Sequence, residues 1–356
     1  MLTRENFTEE HIRQLQHSSK RDPILIERTV YAFGLLEAIS RGGMPFIFKG
    51  GTCLMLLLEH PQRLSTDIDI IVEPGTDVEE YIEKAAKIFP FVRYEEQRRI
   101  GRNNIEKRHF KFTYDSPVNG KELYILLDVL YEENHYERIV EREICNELLM
   151  VEPEFLKVKV PSIECILGDK LTAFAPHTTG ISLGTGKDME VMKQLYDVST
   201  LVDEMENFEE VKKTYLKVVQ SEIAYRGIEV TPKDCLKDTF EAALCIASRG
   251  KYNGEEYSLY VTGIRDLRGH IYAENYSPEI AVGRAVKTAY IAICLWANEP
   301  FESIADYTEY INAKFTQPEL MAVKYLRKVD PEAYAYMIKV DRMLGKLTEE
   351  KRGKCK

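Results

Sequence analysis

Asp67 and Asp69 stand two apart in the apolar run Asp67-Ile-Asp-Ile-Ile-Val72. Alternation along an extended strand puts both carboxylates on one face and Ile68 and Ile70 on the other. Two oxygen donors so placed suit Mg²⁺, or Mn²⁺ in its place, because such an ion usually shares its shell with substrate phosphates. Just upstream, Phe48-Lys-Gly-Gly-Thr-Cys-Leu54 joins a short apolar strand to an apolar helix. Gly50 and Gly51 let backbone amides crowd a phosphate at the helix N-terminus, and Thr52 adds a hydroxyl at the same mouth. A Gly-Gly turn alone is usually only a turn, and Asp-x-Asp alone is usually two solvated acids. In this order, one helix apart, they point to metal-assisted phosphate chemistry.

A third acid strengthens that reading. Leu123 to Tyr131 reads Leu-Tyr-Ile-Leu-Leu-Asp-Val-Leu-Tyr, a buried-looking strand with Asp128 in its middle. A carboxylate inside an apolar strand is costly unless it is paired or bound to metal. It is either a site residue or a structural Asp satisfied by backbone, and the presence of Asp67 and Asp69 favours the first. Three carboxylates on adjacent strands would hold two Mg²⁺, one carrying a triphosphate and one lowering the pKa of an attacking hydroxyl.

The elements that must position these residues change character near residue 160. Before it, strands and helices alternate: a helix about 22–40, a strand 45–48, the Thr52 helix, a strand 68–72 and a helix near 78–88. Strands 91–98 and 106–114 follow, with Gly101-Arg-Asn-Asn in the turn between them. After Pro161 the pattern is helical to the C-terminus. Ser162 can cap a helix through Lys170 and Ala173, and Val191, Leu195, Val198 and Val202 keep helical spacing. Thr231-Pro232 and Ser277-Pro278 each read as an N-cap followed by Pro at the first helical position. The expected fold class is α+β, a mixed-sheet lobe over 1–160 followed by a mostly α-helical domain over 161–356.

Composition narrows the function classes. The 356 residues are 44% hydrophobic and 30% charged, ordinary for a globular protein with full cores. The longest stretch without charge or turn residues, Thr288 to Ala297, is about half of the roughly 20 residues needed to cross a bilayer. The first residues have no apolar core of a secretory signal. Seven scattered cysteines without metal-ligand spacing suggest reduced thiols and a cytoplasmic setting. The seven histidines form no zinc pattern, so metal chemistry would rest on carboxylates.

A net charge of −10 argues against general nucleic-acid binding, which depends on phosphate neutralisation by Lys and Arg. A local groove is compatible with it. Arg93, Arg98, Arg99, Arg102, Lys107, Arg108 and Lys111 gather in one segment, read here as a solvated β-hairpin with a charged turn. Lys351, Arg352, Lys354 and Lys356 read as a frayed tail. Gly184-Thr-Gly-Lys187 is not a P-loop: Gly180 is one residue too far upstream, and Asp188 stands where a Ser or Thr must bind magnesium. It reads instead as a flexible connection.

Phe48-Lys-Gly-Gly-Thr-Cys-Leu54 followed by Arg63-Leu-Ser-Thr-Asp67-Ile-Asp69 resembles the signature of the AbiEii/AbiGii toxin family, a branch of the DNA polymerase β-like nucleotidyltransferases. Gly168-Asp-Lys-Leu-Thr-Ala173 and Lys193-Gln-Leu-Tyr-Asp197 resemble that family's helical motif. The resemblance spans most of residues 46 to 200. It implies a two-lobed, Mg²⁺-dependent enzyme that transfers a nucleoside monophosphate from an NTP to an acceptor and releases pyrophosphate. By position, Asp67, Asp69 and Asp128 would bind metal, and Asp128 would also help activate the acceptor. Lys49, Gly50, Gly51, Thr52, Arg63 and Ser65 would hold the nucleotide. Lys170 would reach the phosphates from the helical lobe, which would complete the active-site cleft, and Asp197 would be that lobe's acid.

Two positions depart from the family pattern. The Arg-Asp pair often found after Lys-x-x-Ala is represented here by Lys187-Asp188 or Lys193-Gln194, and an arginine after the alanine gives way to Pro176 and His177. The resemblance further implies a toxin of a toxin–antitoxin or phage-defence pair, with a cognate antitoxin as partner, acting on RNA such as tRNA. Modification of a small molecule or protein, and non-catalytic nucleotide binding, are the alternative readings.

Overall fold

The computed structural model describes residues 1–97 and 106–354. They divide into two compact units, 1–162 together with 269–275, and 163–268 together with 276–356. The Gly101 turn, Arg98, Arg99 and Arg102 lie outside the described residues, as do the side chains of the basic tail.

The first unit holds α1 (Glu9–Ser19), α2 (Pro23–Arg41), β1 (Ile47–Lys49), α3 (Gly50–Leu57), β2 (Asp67–Val72) and α4 (Glu79–Ala86). It continues with β3 (Phe91–Gln97), β4 (Lys107–Asp115), β5 (Glu122–Tyr131), β6 (Ile139–Glu143) and β7 (Lys157–Pro161). Asp22 starts α2 by accepting a hydrogen bond from the Leu25 backbone N–H at 2.9 Å, and Pro23 occupies the first turn. Thirteen of the nineteen residues in α2 are buried, so it serves as the central core helix.

The main sheet has the order β1-β2-β5-β4-β3. β2 pairs with β5 in parallel and every other pair is antiparallel, which makes the sheet mixed. One face is apolar: Phe48, Ile68, Ile70, Phe110, Phe112, Ile125, Leu127 and Val129 are all buried. The Tyr114 ring stacks on Tyr31 of α2 with centroids 3.8 Å apart. Burying each such side chain contributes about 1.5–3 kcal/mol, and the alternation that buries this face turns the acids to the other. β6 and β7 form a separate antiparallel ribbon.

Residues 269–275 pack with the first unit although they lie far along the chain. Leu64 N–H donates to His270 O at 2.7 Å, and Tyr272 N–H donates to Gln62 O at 2.8 Å. An isolated bridge pairs Arg63 with Ile271. The loop between α3 and β2 is therefore held as an added strand pairing.

The second unit is helical: α5 (Ile163–Ala173), α6 (Asp188–Glu204), α7 (Phe208–Arg226), α8 (Pro232–Ala247), α9 (Gly254–Leu267), α10 (Pro278–Ala297), α11 (Leu326–Val329) and α12 (Pro331–Lys354). Two of the expected caps are present. Thr231 and Asp234 form a reciprocal capping box, and Ser277 accepts from the Ile280 N–H. By length and composition α10 could cross a membrane, a property that the charge-free run alone did not reveal. Here it is a core helix, buried over 67% of its most apolar window.

The connection after α5 is tied to α8 through Asp238, whose carboxylate accepts from the His177 N–H at 2.9 Å and the Thr178 hydroxyl at 2.8 Å. Its other oxygen meets His177 Nδ1 at 2.7 Å, and Glu256 of α9 lies 3.3 Å from Nε2. The hydrogen bond to Asp238 raises the His177 pKa above the ordinary imidazole value. Its stabilisation is therefore complete below about pH 6.5, the unfolded value, and is lost as pH rises through the raised one. Urea titrations should show wild-type stability declining over that interval more steeply than His177→Gln; superimposable pH profiles would refute the coupling.

Candidate active site

The register of β2 on β5 assembles the acids. Lys49 pairs with Asp69 across β1 and β2, and Asp69 pairs with Asp128 across β2 and β5. Asp67 and Asp69 are partly exposed while Ile68 and Ile70 between and after them are buried, as strand alternation requires. Asp128 shares the same face of the sheet, flanked along β5 by buried Leu127 and Val129.

The glycines make room for side chains of the same motif. Gly50 has φ +82°, and a Cβ there would collide with the Asp69 carboxylate. A Cβ on Gly51 would collide with the Arg63 guanidinium and stand 2.9 Å from Ser65 Oγ. Arg63 is buried although charged. Lys49, Arg63 and Ser65 thus surround the first turn of α3, beside Asp69. Lys49 Nζ also lies 5.6 Å from the ring centroid of Tyr136.

Thr52 corrects the sequence reading. Its side chain is fully buried, and its hydroxyl donates to the Asp67 carbonyl oxygen at 2.6 Å. Instead of offering a donor at the helix mouth, it ties α3 to the first residue of β2 and so sets the height of the Asp67 carboxylate.

The acids already have neighbours. His109, paired with Asp128 in the register of β4 on β5, places Nδ1 2.6 Å from Asp128 Oδ1. The His109 side chain is 13% exposed and that of Asp128 is 34% exposed. Arg28 of α2 brings Nη2 to 3.8 Å from Asp67 Oδ1. Among the described residues no group of three or more His, Cys, Asp or Glu is arranged to hold a metal ion. Asp128 is turned to His109. The donor chemistry fits Mg²⁺: Asp67 and Asp69 would supply hard oxygens from one strand face and leave the rest of the shell to phosphates and water.

Sequence reading passed over His109 and Arg28. His109 had a signal, because Lys107, His109 and Lys111 alternate with Arg108, Phe110 and Phe112 and so share the face of Asp128. Arg28 had none; only the packing of α2 brings it near Asp67. Two of the described residues of the basic segment are committed to partners within the protein. Arg93 forms a two-pronged pair with Glu122, and Arg108 bonds Glu96 at 2.8 Å and Glu79 at 2.7 Å. The bond to Glu96, followed by that to Glu79, raises the Arg108 pKa. These pairs tie β3 and β4 to β5 and α4.

Lys170 and Asp197 belong to the second unit. Lys170 Nζ lies 3.0 Å from Asp197 Oδ2 and donates to Gln194 Oε1 at 3.0 Å. Asp197 is 2% exposed and Lys170 12%. Asp188 starts α6, and its carboxylate accepts from the Gly184 N–H at 2.7 Å, which makes the Gly184 segment a turn closed by its own acid.

The first unit is thus a mixed sheet that carries acids on neighbouring strands, led by a Gly-Gly helix start. The chain belongs to the family described as nucleotidyl transferase AbiEii toxin, Type IV TA system, whose profile matches residues 34–253. No curated protein gives a significant match. Among solved structures, JHP933 from Helicobacter pylori is similar at 14% identity and a TM-score of 0.43, over 76% of this chain and 93% of that one. An antigenic nucleotidyltransferase-like protein from Paracoccidioides brasiliensis is similar at 16% identity and a TM-score of 0.38, over 56% and 86%.

Two substitutions separate backbone strain from loss of the site. Gly43 has φ +76° with nothing within 4 Å of the place a Cβ would occupy, so Gly43→Ala should cost only about 1–2 kcal/mol of left-handed strain. Gly50→Ala carries the same strain and also displaces Asp69, so it should lose nucleotidyl transfer that Gly43→Ala retains. Equal activity in the two variants would refute the contact. Lys170→Ala, which removes the cation from a buried carboxylate, should destabilise by about 3 kcal/mol in chemical denaturation; a loss below about 1 kcal/mol would show the pair to be incidental.

Proposed function

We propose that this chain transfers a nucleoside monophosphate from an NTP to a hydroxyl of an RNA acceptor such as tRNA, with Mg²⁺ as cofactor, and acts as a toxin restrained by a cognate antitoxin. The observation that carries the reading is the β2–β5 register, which sets Asp69 beside Asp128 on the face where Asp67 also lies. Family membership supports the transferase chemistry.

Each residue has a distinct part in that reaction. Backbone amides at Gly50 and Gly51, with Lys49, Arg63 and Ser65 around them, receive the triphosphate. Bound Mg²⁺, shared by Asp67, Asp69 and the phosphates, would neutralise charge on the transferred phosphoryl group. Asp128 takes the proton from the acceptor hydroxyl, held in place by His109 at its Oδ1. The hydroxyl oxygen bonds to the α-phosphorus, the bond from that phosphorus to the bridging oxygen breaks, and pyrophosphate departs with the electron pair.

Incubation with each α-labelled NTP, Mg²⁺ and total cellular RNA or protein tests this directly. Label should enter RNA, fall at least about 1,000-fold with Asp69→Asn, and vanish on chelation, as expected where charge stabilisation worth several kcal/mol is lost. Asp67→Ala should likewise abolish growth arrest. Label in protein or in a small molecule would move the acceptor to those classes. Undiminished toxicity of Asp67→Ala would refute metal-dependent transfer.

A further inference from the structure

Two cations near Tyr124 differ from Arg93 and Arg108. Arg93 and Arg108 are hydrogen-bonded to glutamates, whereas Arg28 and Lys111 make no hydrogen bond among the described residues. The Arg28 contact with Asp67 is 3.8 Å and the Lys111 contact with Glu95 is 3.6 Å, both longer than a hydrogen bond. Arg28 Nε, although shielded from solvent, has no acceptor.

Both cations converge on one aromatic ring. Tyr124 is 41% exposed, large for an aromatic side chain in a strand interior. Lys111 Nζ is 4.6 Å from its ring centroid and the Arg28 guanidinium carbon is 5.7 Å away. The register explains the meeting: Lys111 pairs with Leu126, diagonal to Tyr124, which itself faces Thr113. Tyr124 shares the face of Asp128, four residues along β5 and so about 13 Å away at strand rise. Arg28 spans the gap between the ring and Asp67.

An exposed ring with two cations over it, each held only by an ion pair longer than a hydrogen bond, has the chemistry that holds single-stranded nucleic acid, where bases stack on aromatics and phosphates meet Lys and Arg. We infer that Tyr124, Arg28 and Lys111 form the acceptor grip: the ring stacks an unpaired base a few nucleotides in from the reacting end, and the two cations hold flanking phosphates. This inference rests on the proposed transfer to RNA. It explains how a chain with a net charge of −10 engages a polyanion through a few residues instead of a basic coat. It also predicts preference for an unpaired end, because a base inside a duplex has no free face to offer.

The test measures binding and turnover separately. Fluorescence anisotropy with a 5′-labelled oligoriboadenylate of about ten nucleotides should show Tyr124→Ala weakening binding about 10-fold, the loss of one stacked base. Tyr124→Phe, which keeps the ring, should bind as wild type. Lys111→Ala should lower the salt slope by about 0.7, as for one phosphate contact on a single strand. A blunt-ended hairpin RNA should bind wild type and Tyr124→Ala alike. In transfer assays, Tyr124→Ala should raise the KM for RNA about 10-fold and leave the KM for NTP unchanged. A raised KM for NTP instead would place the donor base on the ring and overturn the inference. Equal binding and labelling by Tyr124→Ala and wild type would overturn it while leaving transfer to RNA intact. Absence of any RNA labelling by wild type would overturn both.

Discussion

The parallel pairing of β2 with β5 is the constraint on which the site depends. One register brings Asp69 opposite Asp128; a shift by a single residue would turn one strand's acids into the apolar core and its isoleucines outward. That penalty is large because Ile68, Ile70, Leu127 and Val129 are all buried beneath the sheet. The hydrophobic core thus enforces the geometry of the polar face. Thr52 adds a second lock at the start of β2 through its hydrogen bond to the Asp67 carbonyl.

The glycines take on a meaning that a phosphate-binding turn alone does not give them. Gly50 and Gly51 sit under Asp69 and Arg63, so the motif closes on itself. Backbone and side chains of one short segment are thereby pre-positioned, which in the proposed reaction would reduce the reorganisation left for the chemical step. His109 does the same for Asp128, where an apolar strand would otherwise carry a lone carboxylate.

Much of this was legible in the sequence because it is local. Period-two alternation exposed the strand of Asp67 and Asp69 and the oddity of Asp128, and Thr231-Pro232 and Ser277-Pro278 marked helix starts that the structure places at those residues. Sequence could not show what depends on contacts between distant segments. The Thr52 hydroxyl faces a carbonyl fifteen residues on, Arg28 meets Asp67 only through the packing of α2, and His109 finds Asp128 only across a strand pair. The small β6–β7 ribbon was likewise hidden, its short strands lacking the long apolar runs that marked β2 and β5.

The strand pairing of Arg63 with Ile271 has a consequence for how the protein is born. A long helical stretch of chain, 163–268, separates the body of the first unit from the segment that fastens its α3–β2 loop. At roughly 5–20 residues per second of synthesis, that segment leaves the ribosome about 5–20 s after the rest of the unit. During that interval the loop carrying Arg63 and Ser65 lacks its last clamp. The nascent chain is in this sense assembled with its α3–β2 loop fastened late.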